Sequence, residues 1–306
     1  VAVAALTCGF ANAASPIVSA QAATPTRPAN QKTAFAPPSG PSALAGMGSP
    51  AAAMPDDSVL TFSTPPRESA EEAAKLYQPV IEYLSRITGK TIVYKHPGNW
   101  LTYQTEMQKG AYDLVFDGPH LNSWRIANLN HNTLARLGDD HGFAVIVRKD
   151  SFANDLKHLA GQKICGMNPP NLGTLAVLAE FNNPMRQPFL LDTVGWNKVY
   201  EGVVMDKRCS AGIVPIGNLK RLDTVGAFTK VIHRTRAMPN QAFSAGPKVA
   251  RDTQARIASA LTSVEGQAAT AALRAAYGSE KGFVAATREE YAGLDSYLKD
   301  SWGYAR

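Results

Sequence analysis

The chain has 306 residues, of which 45% are hydrophobic and 18% charged, and a formal charge of +6 at pH 7. That length exceeds one small core and points to about two domains, and the composition excludes a wholly disordered chain. Lysines and arginines are interleaved with acids along the sequence, which argues against a clustered nucleic-acid-binding footprint.

The first residues carry an export pattern. Val1 to Leu6 is an apolar run, and Ala11-Asn12-Ala13 and Ala20-Gln21-Ala22 both read as A-x-A cleavage sites. Residues 1–22 are therefore expected to be the remnant of a signal peptide, with an Ala-rich tail as the alternative. Cys8 lies in a poor match to a lipoprotein signal, so no lipid anchor is expected. No later apolar stretch is long enough to span a bilayer. Residues 23–57 are rich in Pro, Ala, Ser and Gly and hold almost no large apolar side chains. Such a segment cannot offset its conformational entropy by burial, and it is expected to be a disordered linker.

Order is expected from Val59. Val59 to Ser63 reads as a strand, followed by a helix with apolar residues at Ala73, Leu76, Tyr77, Val80, Ile81, Leu84 and Ile87. Gly89 ends that helix and Thr91 to Tyr94 forms the next strand, a parallel crossover unit. Trp100 to Lys109 reads as a helix, Asp113 to Phe116 as a buried strand, Leu121 to Leu129 as a helix and Phe143 to Val147 as a strand. A second sheet is expected to open near Gln162 to Met167. Its loop Asn168-Pro169-Pro170-Asn171-Leu172-Gly173-Thr174 leads to a helix over 175–181. Ala211 to Val214 is a further strand, and 255–273 reads as one long amphipathic helix.

In open parallel sheets ligands gather at the carboxyl ends of strands. The loops Thr64 to Glu68, Asp117 to His120 and Asn168 to Thr174 sit at such ends. The first two belong to one sheet and the third to another, which predicts a cleft between two lobes.

The stretch Leu76-Tyr77-Gln78-Pro79-Val80-Ile81-Glu82-Tyr83-Leu84 with Thr88-Gly89 resembles the first helix of the phosphonate-type periplasmic solute-binding proteins. Gly110-Ala111-Tyr112-Asp113-Leu114 with Phe116-Asp117-Gly118-Pro119 resembles the same family, as does Val147 to Ser151 before Leu159 to Lys163. The resemblance implies an α/β, two-lobed type 2 periplasmic binding protein fold with the ligand cleft between the lobes. Lobe 1 is then expected at 58–144 plus 243–306 and lobe 2 at 145–242. It also implies a periplasmic protein, a monomer, that captures a small molecule for the permease of an ABC importer. A membrane sensor, a receptor kinase or cyclase, is the alternative partner.

The ligand loops depart from the family pattern. Its Ser/Thr-rich turn at the start of the second-lobe helix resembles, in this chain, the Asn168 to Thr174 loop. Pro169 and Pro170 there lack N–H groups, and Thr174 is the one hydroxyl. A neutral or mixed-polarity organic ligand is expected in place of a simple phosphonate.

The candidate ligand-binding residues are Thr64, Arg67, Trp100, Tyr103, Asp117, His120, Trp124, Asn168, Asn171 and Thr174. His120 reads as a ligand-facing imidazole or as a helix cap, Trp100 and Tyr103 as stacking faces or core, and Arg67 as an anion partner or a solvated side chain. Asp139-Asp140-His141 reads as a solvated turn. The six histidines show no metal-ligand spacing, and no nucleophile elbow, Walker loop or dinucleotide fingerprint is present. No catalytic role, metal, cofactor or nucleic acid is expected. With Cys8 in the signal, Cys165 and Cys209 remain, both placed in lobe 2. Export favours a disulfide between them, with two buried thiols as the alternative.

Overall fold

The computed structural model describes residues 58–224, 227–301 and 304. The expected signal remnant and linker lie outside these residues. In chain order the first elements are β1 (Val59–Ser63), α1 (Ala70–Thr88), β2 (Thr91–Tyr94), α2 (Trp100–Gln108), β3 (Leu114–Asp117), α3 (Pro119–Leu129), β4 (Asn132–Leu137) and β5 (Phe143–Arg148). Then come β6 (Lys163–Gly166), α4 (Leu172–Ala179), β7 (Phe189–Asp192), α5 (Trp196–Val204), β8 (Ala211–Pro215), α6 (Ile216–Leu222) and β9 (Thr229–Arg234). The chain closes with β10 (Ala242–Ala245), α7 (Arg251–Thr262), α8 (Val264–Ala269), α9 (Ala271–Ala276), β11 (Phe283–Ala285) and α10 (Arg288–Tyr291).

These elements build two sheets. The first has the order β11-β4-β10-β3-β1-β2 and the second β7-β6-β8-β5-β9. β1 pairs in parallel with β2 and β3, while β10 runs antiparallel between β3 and β4. In the second sheet β6 is parallel to β7 and β8, and β5 is antiparallel to β8 and β9. The chain changes sheet between β4 and β5 and returns between β9 and β10. β5 opens the second sheet at Phe143 and β10 rejoins the first at Ala242. The two crossings are stitched together where His141 N donates to Met238 O and Met238 N to His141 O, each at 2.8 Å.

Local sequence explains the elements nearest the cleft. α1 starts in a capping box, with the Ser69 side chain accepting from Glu72 N and the Glu72 carboxylate from Ser69 N. Tyr77, Val80, Ile81 and Leu84 form its buried stripe, and the helix continues across Pro79 to Gly89, whose φ of 71° suits glycine. The expected long helix at 255–273 is instead three, α7 to α9. Ser263 ends one and caps the next, and a Cβ at Gly266 would stand 1.9 Å from Ala260 O. α4 begins at Leu172, three residues before its expected start, because Asn171 caps it and accepts from Gly173 N and Thr174 N.

Each sheet has its own apolar cluster. Phe62, Tyr77, Leu84, Phe116 and Phe243 centre the first, and Phe143, Val145, Ile164, Val177 and Ile213 the second. Cys165 on β6 and Cys209 ahead of β8 form a disulfide with Cα atoms 5.6 Å apart, inside a cluster with Val199 and Val203. The bond closes a loop with a sequence separation of 44. Reducing it is expected to cost about 2–4 kcal/mol through the entropy regained by the unfolded chain. Urea unfolding with and without reductant measures this; two thiols reactive in the unfolded, unreduced protein would contradict the bond.

Candidate functional site

A cavity of about 760 Å³ opens between the two sheets, bounded by the ends of α1, α2 and α3 on one side and of α4, α5 and α6 on the other. Four of the expected ligand residues line it: Arg67, Trp100, His120 and Asn171. Arg67 enters from the β1–α1 loop, where Arg67 N donates to Pro65 O at 2.9 Å and tightens the turn. Its guanidinium donates to the Tyr277 hydroxyl at 3.1 Å and to Gln241 Oε1 at 3.3 Å. Gln241 lies on the returning crossing, just ahead of β10, so the cation is anchored where the chain passes between the sheets.

His120 sits in the first turn of α3. Its Nε2 lies 2.8 Å from the carbonyl oxygen of Pro170, in the α4 loop of the other sheet. Burial, aided by the nearby Arg67 charge, lowers the His120 pKa to about 3 against the favourable hydrogen bond to Pro170. The ring is therefore neutral near pH 7. His141, on the first crossing, is likewise held down at about 3 by burial and then by Arg67. Its ring meets that of Phe143 edge-on at 4.7 Å. Glu68 carries the opposite perturbation: burial raises its carboxyl above the usual range although Arg67 pulls it down. Lys198 and Arg221 add positive charge from the second sheet's helices and Glu72 adds negative charge from α1. The lining is thus mixed in sign, with flat faces from Trp100, Phe143, Trp196 and Tyr277.

The other expected residues lie outside the lining, each for a local reason. Tyr103, Asp117 and Trp124 are buried in the first lobe's interior. Asp117 is paired with Arg125, whose Nε donates at 2.8 Å, and the Tyr103 hydroxyl donates to the same carboxylate at 2.7 Å. Trp124 stacks edge-on with Tyr304, its Nε1 donating to Tyr304 O at 3.3 Å. Thr64 is fully buried and bonded to the Tyr94 hydroxyl at 2.9 Å. Thr174 donates to Met167 O at 2.5 Å, and Asn168 N donates to the Asp192 carboxylate at 3.1 Å. The side chains of Thr64, Tyr103, Asp117, Trp124 and Thr174 are buried supports, while Asn168 is exposed, and none of the six lines the cavity.

Sequence reasoning missed Glu68, His141, Trp196, Lys198, Arg221 and Tyr277 as lining residues. His141, which reads from sequence as part of a solvated turn, is buried on a crossing. Trp196 and Lys198 follow Gly195, whose φ of 99° turns the chain into α5, and that glycine was the one local signal available. Tyr277 comes from a segment more than 200 residues beyond Arg67, and nothing local marks it.

Of the helix starts facing the cavity, α1 is capped by Ser69 and Glu72 and α4 by Asn171, whereas α3, α5 and α6 carry no side-chain cap. Contacts also bridge the cleft away from its floor: Asn218 Nδ2 donates to Ala276 O at 3.3 Å, and Lys220 pairs with Glu280 at 3.3 Å. Among the described residues no group of three or more His, Cys, Asp or Glu gathers as a metal would require.

A family model described as the periplasmic substrate-binding protein of ABC phosphonate transporters matches residues 62–291. The phosphate-import protein PhnD of Mycolicibacterium smegmatis is 25% identical over 120 residues, 36% of this chain and 37% of the relative, so the match spans a little over a third of that protein. PhnD1 of Prochlorococcus marinus, solved with methylphosphonate, superposes with a TM-score of 0.64 at 14% identity, covering 80% of this chain and 98% of that one. The binding-protein component PA3383 of an ABC phosphonate transporter from Pseudomonas aeruginosa gives 0.61 at 15% identity, over 77% and 84% of the two chains. XAC2383 from Xanthomonas citri, solved with ATP, gives 0.63 at 14% identity, over 79% and 97%. At these identities the three structures speak to the fold, which is the two-lobed periplasmic binding protein fold. With its family model spanning most of the sequence, both lobes included, the chain belongs to the periplasmic substrate-binding proteins of the ABC phosphonate transporter family.

Proposed function

We propose that this protein captures a small organic solute in the cavity between its lobes and presents it to the permease of an ABC importer, without chemical turnover. The solute carries both polar and flat apolar surface and is not a simple phosphonate. The observation that carries this reading is the lining: four aromatic faces and charges of both signs surround about 760 Å³, a volume suited to an organic ligand. A phosphonate of a few atoms would leave most of it unfilled. The family description and the named import and transporter proteins favour transport, and no observation here favours a sensory receptor. Lobe closure about the stitched crossings at His141 and Met238 would seal the cleft, and the signal pattern at residues 1–22 would provide export.

Calorimetric titration with phosphate, phosphite and methylphosphonate tests the ligand class. Affinities no tighter than millimolar are expected. Micromolar binding of any of them, abolished by Arg67→Ala, would restore a simple oxyanion as the ligand.

A further inference from the structure

One end of the second sheet gathers exposed apolar side chains from four separate segments. The registers Lys163↔Phe189, Ile164↔Ala211, Val147↔Ala211 and Arg148↔Thr229 align the starts of β7, β6, β8 and β9 with the finish of β5. Phe143 and Pro215, paired at the opposite end, line the cleft cavity, so this end is the far pole of the lobe. Phe189 begins β7 and Met185 lies just before it, Met205 follows α5, Phe152 lies in the turn after β5, and Phe228 immediately precedes β9. Lys149 N donates to Phe228 O at 2.9 Å and Lys230 Nζ to Ser151 O at 2.7 Å, which joins the last two segments. Phe152, Met185 and Phe189 are 76%, 90% and 68% exposed, and Met205 and Phe228 are 69% and 58%. Single exposed apolar residues are ordinary, but here every exposed Phe and Met among the described residues lies on one end.

The charged residues of the same end are mostly cations. Segments 148–163, 185–189, 205–210 and 227–230 hold eight Lys or Arg and three Asp. Each Asp already faces a neighbour: Asp150 accepts from Arg148 Nε at 2.9 Å, Asp155 lies 2.8 Å from His158 Nδ1, and Asp206 pairs with Arg208 at 3.7 Å. The field that remains is positive. Lys163 and Arg186, which flank Phe189, and Lys207, two residues beyond Met205, are all exposed. We propose that this pole of the second lobe is a docking surface for an anionic lipid membrane. Phe and Met side chains can enter the headgroup boundary while the interleaved Lys and Arg meet lipid phosphates. A peptide partner would need a groove, yet neither the cleft cavity nor the neighbouring cavity beside α2 and α4 includes any of the five apolar residues. The pole lies opposite the cleft, so docking there leaves the cavity end of the sheet free, whatever solute binds. It also concentrates the loaded protein at the membrane that holds a permease.

Flotation of the full chain with lipid vesicles tests this. Vesicles of phosphatidylcholine containing about one third phosphatidylglycerol are expected to bind it about ten-fold or more tightly than phosphatidylcholine alone. Raising NaCl from about 0.05 M to about 0.5 M should weaken that binding several-fold, because exposed charges are screened. Lys163→Glu with Arg186→Glu should cost about twenty-fold or more, at about five-fold for each cation near the surface. Phe152→Ser with Phe228→Ser should cost about ten-fold. Lys75→Glu with Val264→Ser, comparably exposed on the first lobe, should leave binding unchanged. Phe152→Trp should report insertion directly, as an added blue-shifted emission when the anionic vesicles are present. Equal binding to the neutral vesicles, no binding to lipid vesicles at all, or binding that survives both pole variants overturns the assignment; the last is the result if the apolar run at residues 1–6 inserts instead. Binding to native membranes but not to vesicles of their extracted lipids would give the surface to a protein partner, and overturns it equally.

Discussion

Arg125→Ala is expected to destabilise the protein by about 3–5 kcal/mol, because it strands the Asp117 carboxylate in the interior. Both side chains of this pair are fully buried, with Arg125 Nε 2.8 Å from Asp117 Oδ2. Arg125 Nη2 also donates to the Tyr103 hydroxyl at 3.0 Å, and its guanidinium lies over the Tyr103 and Tyr112 rings at 5.6 and 5.8 Å. Asp117 ends β3 and Arg125 lies in α3, so the pair fixes the angle at which α3 leaves the sheet. Asn122 reinforces that angle by donating to both Asp117 O and Ala242 O. The same helix start carries His120, so a loosened α3 should weaken solute binding as well as stability. Urea unfolding measures the loss, and the double variant Asp117→Asn with Arg125→Met should recover much of it by removing both charges together. A loss under about 1 kcal/mol for Arg125→Ala would mean that Asp117 finds water or another cation.

Mild acid should destabilise the protein before its carboxylates titrate. His120, His131 and His141 have pKa values lowered from 6.5 to about 3, about 2 and about 3 in the folded state, with burial the leading cause in each. Between about 6.5 and 3 the unfolded chain binds protons that the native protein does not, so stability falls as pH falls through that window and is level above it. The three together amount to a loss on the order of 8 kcal/mol at pH 4.5, about 2.7 kcal/mol for each imidazole. Glu68 works the other way: its carboxyl is held above 4.5, so acidification relieves a native-state cost and offsets part of the loss. Carboxylates held low by hydrogen bonds against the cost of burial, such as Asp139 and Asp223, lose their contribution only below 3.8. Urea midpoints at pH 7.5 and 4.5 give the slope, and His131→Asn should reduce it by about one proton. Equal stability at the two pH values would mean that these imidazoles are hydrated in the native protein.

Much of the architecture follows from sequence alone because its signals are local. The stripe from Ala73 to Leu84 with Ser69 before it and Gly89 after it makes α1 whatever surrounds it, and runs such as Leu114 to Asp117 read directly as buried strands. The family motifs lie on those elements, which is why the two-lobed fold was legible, and two cysteines in one lobe sufficed to suggest their bond. Five strands escaped, β4, β7, β9, β10 and β11; of these β10 and β11 are short and pair with strands more than 100 residues earlier. The cavity lining escaped because it too is set by packing between distant segments. Loop position identified Arg67, Trp100, His120 and Asn171, but whether a side chain turns inward or toward the cleft is a matter of packing. An arginine eight residues beyond Asp117 drew the carboxylate and Tyr103 into the core, while His141 and Tyr277 reached the cavity from a crossing and from the far end of the chain. Sequence determined which loops meet at the cleft; only the tertiary structure, by pairing buried charges and capping helix starts with their own side chains, decided which atoms are left for a ligand.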